Sequence, residues 1–310
     1  MNKDLLTVRD LAPEDIERVL ARTAELKKLQ QEGTPHHSLK GKSLGMIFEK
    51  ASTRTRVSFE VGMYQLGGQA LFLSPNDLQM GRGEPVSDTA RTLSRYLDGI
   101  MIRTFAQATV EELARHASIP VINGLTDLHH PCQALADLFT IREKRRMLAG
   151  LRFAYVGDGN NMANSLIEAC VKTGVHIALA CPPGYEPDAG IMAEAVKAAS
   201  RSGCELKVMN DPVKAVKDAD IVYTDVWASM GQEKEHAKRI EAFRGFSVDG
   251  KLMKNAARDA LVMHCLPAHR GEEISAEVID GPQSVVFDQA ENRLHTQKAV
   301  MELLMKGPKR

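Results

Sequence analysis

Short apolar runs alternate with amphipathic stretches along most of the chain, and this pattern predicts a parallel β-sheet with helical crossovers. In the first half of the chain, the runs typical of buried strands lie at 43–48, 69–73, 99–102 and 120–122. Stretches with apolar residues every three or four positions separate them and predict helices at 54–66, 86–97 and 109–117. Strands that alternate with helices in this way form the sheets of α/β domains.

The same alternation restarts near residue 151 and predicts a second domain of the same kind. Its predicted strands lie at 151–156, 175–180, 206–209, 220–223 and 261–263. Its predicted helices lie at 161–173, 188–201 and 212–219. The fold class is therefore expected to be α/β, with two doubly wound parallel-sheet domains linked by long helices.

Two long helices set the expected domain limits. The helix that opens at His130 is long enough to connect two domains, so we assign residues 1–147 to the first domain and 148–290 to the second. The last predicted helix is amphipathic, and we expect its segment, 291–310, to pack back on the first domain.

Composition and charge exclude several classes of protein. With 44% hydrophobic and 26% charged residues, the 310-residue chain has the content of a globular protein and not of a disordered one. Forty basic residues balance forty acidic ones, so the chain lacks the basic surface that nonspecific nucleic-acid binding requires. No stretch reaches the roughly 18 apolar residues of a membrane span. Five cysteines without a CxxC pair favour a reducing compartment, and we expect a cytoplasmic protein.

The segment Ser-Thr-Arg-Thr-Arg at 52–56 stands between a predicted strand and a predicted helix. Backbone N–H groups and the positive end of the helix dipole favour an anion at such a position. Arginine adds bidentate, charge-assisted donors. The segment therefore predicts a phosphate site. The alternative is an ordinary helix start with solvated arginines, because Ser and Thr are common there.

Three further polar residues follow neighbouring strands of the first domain. Arg103 ends the strand at 99–102, and His130 and Gln133 lie beyond the strand at 120–122. Ligands of open α/β sheets bind at the carboxyl ends of strands, so we expect these side chains to lie near the phosphate site. Together they suit an acyl phosphate, with donors for a carbonyl oxygen and an amide for an attached NH₂ group. Taken alone, His130 fits a buried, hydrogen-bonded histidine equally well.

A glycine-rich turn in the second domain, Gly157-Asp-Gly159, follows a strand and precedes a helix as a dinucleotide fingerprint does. However, Met162 stands where the third glycine of the fingerprint belongs, and no acidic residue ends the next strand. The hypothesis of a nucleotide-dependent oxidoreductase therefore rests on two glycines alone.

Six motifs together resemble the aspartate/ornithine carbamoyltransferase family, and its ornithine-using members in particular. They are Ser-Thr-Arg-Thr-Arg at 52–56, Arg-Thr at 103–104, His-Pro-Cys-Gln at 130–133, Asp-Val-Trp-Ala-Ser-Met-Gly at 225–231, His-Cys-Leu-Pro at 264–267 and Glu-Asn-Arg at 291–293. The motifs occur in the family's order and span nearly the whole chain. The first and third fit the aspartate-using relatives equally well, whereas Ser-Met-Gly and His-Cys-Leu-Pro point to ornithine.

The resemblance implies a reaction and its partners. Two domains would close over a cleft and transfer the carbamoyl group of carbamoyl phosphate to the δ-amine of L-ornithine, without a cofactor, giving L-citrulline and phosphate. The family resemblance also implies a homotrimer with shared active sites, acting in arginine biosynthesis or a urea-cycle-type step. Putrescine, acetylornithine and aspartate remain alternative acceptors, and a non-catalytic relative would lack a reactive residue.

The resemblance further implies roles for individual residues. Carbamoyl phosphate would be bound by Ser52, Thr53, Arg54, Thr55, Gln79, Arg103, His130, Gln133, Cys265, Leu266 and Arg293. Gln79 would act from a neighbouring subunit, and Arg293 from the head of the last helix. Ornithine would be bound by Asn161, Asp225, Ser229 and Met230. The catalytic set would be Arg103, His130, Cys265 and Asp225.

The residues His264, Cys265 and His269 also suggest themselves as metal ligands. They have no acidic or second-pair partner at a recognised zinc spacing, so we predict no metal site.

Overall fold

The computed structural model of the chain describes residues 1–74, 76, 78–80, 83–228 and 235–307. By its internal contacts the chain divides into two compact units. Unit 1 comprises Met1–Phe139 and Glu291–Arg310, and unit 2 comprises Thr140–Ala290. Each unit contains a parallel β-sheet whose strands are connected by helices, which confirms the predicted fold class.

Unit 1 is built on a sheet of four parallel strands in the order β2-β1-β3-β4. The strands are β1 (Ser43–Phe48), β2 (Gln69–Leu73), β3 (Gly99–Arg103) and β4 (Val121–Leu125). The helices within it are α1 (Pro13–Gln31), α2 (Thr53–Gln65), α3 (Val86–Tyr96) and α4 (Gln107–His116). The division of the chain into units falls within two further helices, namely α5 (Pro131–Arg145) and α12 (Val286–Met305).

Unit 2 is built on five parallel strands in the order β7-β6-β5-β8-β9. The strands are β5 (Arg152–Val156), β6 (His176–Ala180), β7 (Leu206–Met209), β8 (Ile221–Thr224) and β9 (Leu261–His264). The helices within it are α6 (Asn161–Thr173), α7 (Ala189–Ser202), α8 (Pro212–Val216), α9 (His236–Ala242), α10 (Gly250–Met253) and α11 (Ala276–Ile279).

In each sheet there is one point at which successive strands begin to be added on the opposite side of the first strand. In unit 1 the strand order reverses between β1 and β3, and in unit 2 it reverses between β5 and β8. Loops that leave two such strands diverge and open a crevice at their carboxyl ends, where ligands of α/β sheets bind. The topology therefore selects the loops after β1 and β3, and those after β5 and β8, as places for ligands.

Helix α12 is longer than predicted, because it begins at Val286 and not at residue 291. Many of its polar residues are buried, so polar and apolar positions do not alternate with the helical period. The hydrophobic pattern therefore placed the start of the helix five residues too late. Buried polar residues of α12 include Gln289, Asn292, Arg293, Thr296, Gln297 and Lys298. Arg293 consequently lies in the interior of a helix, and its predicted position at the helix head is wrong.

Hydrogen bonds to two other elements fix α12 within unit 1. Lys27 of α1 donates to the Asn292 side chain at 2.8 Å, and Lys298 donates to Gln65 at the end of α2, also at 2.8 Å. A Cβ on Gly62 of α2 would lie 2.9 Å from the terminal Cε of Met301, so α2 and α12 pack closely at this point. These contacts fix the place of Arg293.

No helix in the described parts of the chain is both long enough and apolar enough to cross a membrane.

Candidate active site

Helix α2 is preceded by Ser52, the first residue of the predicted phosphate segment, which caps the helix. Ser52 is extended and its Oγ accepts a hydrogen bond from the backbone N–H of Thr55 at 3.2 Å, so it caps the helix. The N–H groups of Thr53 and Arg54 stand in the first turn, outside the intrahelical pattern, where they can bind an anion. The predicted phosphate segment thus forms a helix N-terminus directly after β1.

Two buried guanidinium groups meet at the Thr55 hydroxyl. Arg293 of α12 donates to Thr55 Oγ1 at 3.1 Å, and Arg103 at the end of β3 donates to the same atom at 3.5 Å. Thr55 is 1% exposed, Arg293 3% and Arg103 7%. Buried cations are costly unless they have an anionic partner. We call this group, with Arg54, the arginine cluster.

His130 lies beside the arginine cluster at the start of α5. Burial, together with the positive charges of Arg293, Arg103 and Arg54, holds the pKa of His130 well below its usual value of 6.5. The imidazole is therefore neutral at physiological pH. A neutral imidazole can donate one hydrogen bond to a carbonyl oxygen without adding a further charge.

Two glutamines hold the Arg293 guanidinium in place. Gln133 Oε1 accepts a hydrogen bond from Arg293 at 2.5 Å, and the Gln133 amide donates to Asp137 at 2.8 Å. Gln297, with its amide oxygen turned toward the guanidinium, accepts from Arg293 Nη2 at 2.8 Å. Gln297 lies one helical turn after Arg293, and sequence reasoning missed it. The sequence signal that could have identified Gln297 is its spacing of four residues from Arg293, at which side chains of a helix contact each other.

Gln79 is exposed and stands in the stretch between β2 and α3. Among the described residues of unit 1, no hydrogen bond joins it to the arginine cluster, and its backbone oxygen accepts from Glu84 at 3.2 Å. The predicted donor-binding residues Ser52, Thr53, Arg54, Thr55, Arg103, His130, Gln133 and Arg293 all belong to unit 1.

Unit 2 carries an acidic counterpart at its own crevice. Asp225 follows β8 and is 5% exposed. Its Oδ1 accepts a hydrogen bond from the Cys265 thiol at 2.9 Å, and its Oδ2 accepts from Asn160 Nδ2 at 2.9 Å. Cys265 follows β9, which pairs with β8, so strand register brings the thiol and the carboxylate together.

Asn160 holds Asp225 and caps α6 with the same side chain. Its Oδ1 accepts from the backbone N–H groups of Met162 at 2.9 Å and Ala163 at 3.3 Å, while its Nδ2 binds Asp225. Sequence reasoning selected Asn161, which is the first helical residue, and missed Asn160. The preference of asparagine for the cap position was the signal that could have found it.

The loop after β8 is anchored by a buried ion pair. Arg239 of α9 donates to Asp158 at 2.8 Å and to the backbone oxygen of Trp227 at 2.7 Å. This arrangement ties the turn after β5 to the turn after β8. The predicted ornithine ligands Ser229 and Met230 lie outside the described residues.

The turn that presents Cys265 and Leu266 is held by the buried side chain of His264. His264 Nδ1 accepts from the backbone N–H of Leu266 at 2.8 Å, and Nε2 lies 3.0 Å from Glu273 Oε1. The donor atoms of Asp225, His264 and Cys265 lie within 4.8 Å of one another, a spacing that suits a metal ion. Because hydrogen bonds within unit 2 already engage both nitrogens of His264, we assign no metal here.

The two glycines of the dinucleotide-like turn have a packing role. A Cβ on Gly159 would lie 2.2 Å from the backbone nitrogen of Pro187. Only glycine therefore allows the turn after β5 to pack against the backbone at Pro187. Gly157 has a φ of +145°, which also favours glycine. The geometry of unit 2 thus accounts for both glycines without a bound nucleotide.

The arginine cluster at one crevice suits an anionic ligand in unit 1, and the carboxylate with a thiol at the other suits a cationic ligand in unit 2. Residues 3–143 match the carbamoyl-P binding domain of the aspartate/ornithine carbamoyltransferases, and residues 149–304 match their Asp/Orn binding domain. The chain belongs to the aspartate/ornithine carbamoyltransferase family.

Individual relatives agree over nearly their whole length. The chain is 58% identical to the ornithine carbamoyltransferase of Syntrophus aciditrophicus over 305 residues, which cover 98% of this chain and 100% of the relative. The solved ornithine carbamoyltransferase of Pyrococcus furiosus superposes with a TM-score of 0.96 at 55% identity, covering 99% of this chain and 98% of that chain. The anabolic ornithine carbamoyltransferase of Campylobacter jejuni gives a TM-score of 0.92 at 44% identity, covering 97% and 98%.

Proposed function

We propose that this protein transfers the carbamoyl group of carbamoyl phosphate to the δ-amine of L-ornithine, which yields L-citrulline and phosphate. The observation that carries the proposal is the arginine cluster: buried cations around Thr55 and a histidine kept neutral beside them. The relatives at 55–58% identity, all ornithine carbamoyltransferases, support the same reaction.

The donor is proposed to bind with its phosphate at the start of α2. The hydroxyl and N–H groups of residues 52–55 would hold the phosphate oxygens, with the Arg54 side chain adding charge. Arg103 and His130 would donate to the carbamoyl oxygen, while Gln133 would accept from the carbamoyl NH₂ group. Arg293 supports this geometry through Thr55 and Gln133. Gln79, Cys265 and Leu266 complete the proposed donor set.

The acceptor is proposed to bind at the crevice of unit 2. Asp225 supplies a carboxylate for the α-ammonium group of ornithine, and Asn160 and Cys265 keep that carboxylate oriented. Asn161, Ser229 and Met230 are proposed to donate hydrogen bonds to the amino acid, chiefly to its α-carboxylate.

The transfer requires a neutral amine, although a free alkylamine has a pKa of about 10.4. Exclusion of water near the arginine cluster favours the neutral form. The δ-nitrogen then attacks the carbamoyl carbon, and Arg103, His130 and Thr55 stabilise the negative charge that develops on the oxygen. The new C–N bond replaces the C–O bond to phosphate, whose charge Arg54 neutralises. The amine proton passes to Cys265 or to the departing phosphate.

A citrulline colour assay with several acceptors tests this proposal. Carbamoyl phosphate is supplied with ornithine, putrescine, acetylornithine or aspartate in parallel reactions. We expect kcat/KM for ornithine to exceed that of the others by at least about 10³-fold, because buried polar groups are left unpaired by an analogue that lacks their partner. A higher kcat/KM with any of the other three amines would contradict the assignment of ornithine.

We further propose a homotrimer, supported by an apolar surface on the edge of unit 1. Val57, Val61 and Tyr64 recur at helical spacing on α2 and are 50%, 36% and 79% exposed. Phe72 lies nearby on the edge strand β2, with the Arg56 guanidinium 3.9 Å from its ring centroid. Contiguous apolar surface at a sheet edge is typical of an interface. Gln79, close to this edge in sequence, is proposed to reach the neighbouring site.

Charged substitutions on this surface are expected to dissociate the assembly. In sedimentation velocity, the wild type should sediment as a trimer of the 34.1 kDa chain or a larger species. The variant carrying V61E and Y64E should sediment as a monomer, because two buried carboxylates would oppose association. Tyr96, 71% exposed on α3, provides the matched control Y96E, which should remain assembled. An active wild-type monomer would contradict the proposal.

The reaction is proposed to serve arginine biosynthesis or a urea-cycle-type step in the cytoplasm. None of the five cysteines, all of which the structure describes, forms a disulfide with another. Four of them are buried, which suits a reducing compartment.

A further inference from the structure

We propose that unit 2 carries a binding site for a divalent transition-metal ion, Zn²⁺ or a chemically similar ion, formed by His236, His269, Glu272 and Glu273. These residues come from two places in the chain. His236 opens α9, and the other three stand in the turn between β9 and α11. The hypothesis of no metal site rested on the lack of an acidic partner, yet two glutamates follow His269 by three and four residues.

Three of the four residues, His269, Glu272 and Glu273, have ligand atoms that lie close enough together to surround one ion, and His236 contacts Glu272. His236 Nε2 is 3.2 Å from Glu272 Oε2, and His269 Nδ1 is 3.8 Å from the same oxygen. His269 Nδ1 is also 3.9 Å from Glu273 Oε2. Ligands bound at about 2.0–2.1 Å in a tetrahedron are about 3.3 Å apart. The ligand atoms of His269, Glu272 and Glu273 already lie within 4.8 Å of one another, and a rotation of the exposed His236 side chain, which contacts Glu272, would add the fourth ligand.

Glu273 provides an independent indication that this group of residues binds a cation. Its side chain is fully buried. Its Oε1 accepts from the backbone N–H of His269 at 2.6 Å and lies 3.0 Å from His264. Its other oxygen, Oε2, is buried and has no hydrogen-bond partner among the described residues. Buried carboxylate oxygens are normally paired or bound to metal, and this one faces His269.

The donor set selects the class of ion. Two imidazole nitrogens and two carboxylate oxygens suit Zn²⁺, Co²⁺ or Ni²⁺, whereas Mg²⁺ and Ca²⁺ prefer oxygen ligands throughout. Two carboxylates neutralise the charge of a divalent ion. The side chains of His236 and His269 are 42% and 46% exposed, so an ion can enter from solvent while Glu273 anchors the inner side.

Binding at this site would affect the ornithine half of the protein. An ion would cross-link the start of α9 to the turn that follows Cys265 by four residues. Glu273 also holds His264, whose ring supports the Cys265 turn. The proposed ion therefore restricts the motion of the turn that carries Cys265 and does not contact the thiol. It takes no part in the proposed transfer of the carbamoyl group.

The test uses Co²⁺ as a spectroscopic probe with the full-length protein. Tetrahedral Co²⁺ with nitrogen and oxygen ligands gives visible absorption without a thiolate-to-cobalt charge-transfer band. We expect such a spectrum, and displacement of Co²⁺ by Zn²⁺ in calorimetric titration. The variants H236Q and H269Q should each weaken Zn²⁺ affinity by about 100-fold. His37 is exposed in unit 1, and H37Q is the matched control that should bind like the wild type.

Two results would overturn the proposal. The first is an unchanged Zn²⁺ affinity in both H236Q and H269Q. The second is a thiolate charge-transfer band, which would place the ion at Cys265 instead. Failure of a variant to fold is excluded by its melting temperature in the presence of a chelator, which should equal that of the wild type in the same buffer. In the wild type alone, Zn²⁺ should raise the melting temperature.

Discussion

Replacement of Arg54 by alanine is expected to abolish measurable binding of carbamoyl phosphate while the fold survives. Arg54 stands in the first turn of α2, where its charge adds to the helix dipole at the proposed phosphate position. A hydrogen bond to a charged group contributes about 1.5–3 kcal/mol, which corresponds to a loss of affinity of about 10–10²-fold, and the loss of the ion pair with the phosphate adds to this. Isothermal titration calorimetry with carbamoyl phosphate measures the affinity directly.

Arg115 on α4 supplies the matched control for this experiment. It is exposed and lies in the same unit, so R115A removes an arginine without altering the arginine cluster. Its affinity for carbamoyl phosphate should equal that of the wild type. An unchanged affinity in R54A would remove the phosphate role of Arg54. Circular dichroism and the melting temperature of R54A establish that the variant is folded.

Substitution of Asp225 by asparagine is expected to lower kcat/KM for ornithine by at least about 10³-fold and to leave the affinity for carbamoyl phosphate within about threefold. Asparagine preserves the shape of the side chain but removes the charge that the proposed ammonium contact requires. It also places a donor where Asn160 and the Cys265 thiol now donate, so one of these hydrogen bonds is lost.

The contrast between the two substrates is the decisive part of this experiment. Because Asp225 belongs to unit 2, a parallel loss of carbamoyl phosphate affinity would show that the residue acts through the fold and not on ornithine. Asp280 is an exposed carboxylate of the same unit, paired with Arg270 at 2.8 Å. The control variant D280N should retain the wild-type kcat/KM for ornithine.

Much of the architecture could be predicted because it depends on local pattern. Strand β1 and helix α2 begin within one residue of their predicted positions, since a buried apolar run and a Ser cap are strong local signals. Helix α4 begins at Gln107, two residues before the predicted start. The short helices α9, α10 and α11 were not predicted, because four to seven residues are too few for a hydrophobic period to emerge.

The parts that escaped prediction depend on contacts distant in sequence. Asn160 matters because it holds Asp225, which is 65 residues away, and its preference for a helix cap gives no sign of that contact. The polar face of α12 is buried by α1 and α2, so hydrophobic periodicity misplaced its start. The burial of Glu273 Oε2, which accepts no hydrogen bond from any described residue, depends on the fold of the turn after β9 and could not be predicted from the sequence.

The return of α12 to unit 1 has a consequence for biosynthesis of the protein. The strands of unit 1 and the Ser52 cap are translated early, but Arg293 emerges from the ribosome only after all of unit 2. During translation, unit 1 therefore lacks one of the two guanidinium groups at Thr55 and the buried helix that Lys27 and Gln65 contact. A nascent chain released near residue 285 would leave apolar surface of α2 uncovered, and such intermediates are prone to aggregate and to need chaperones.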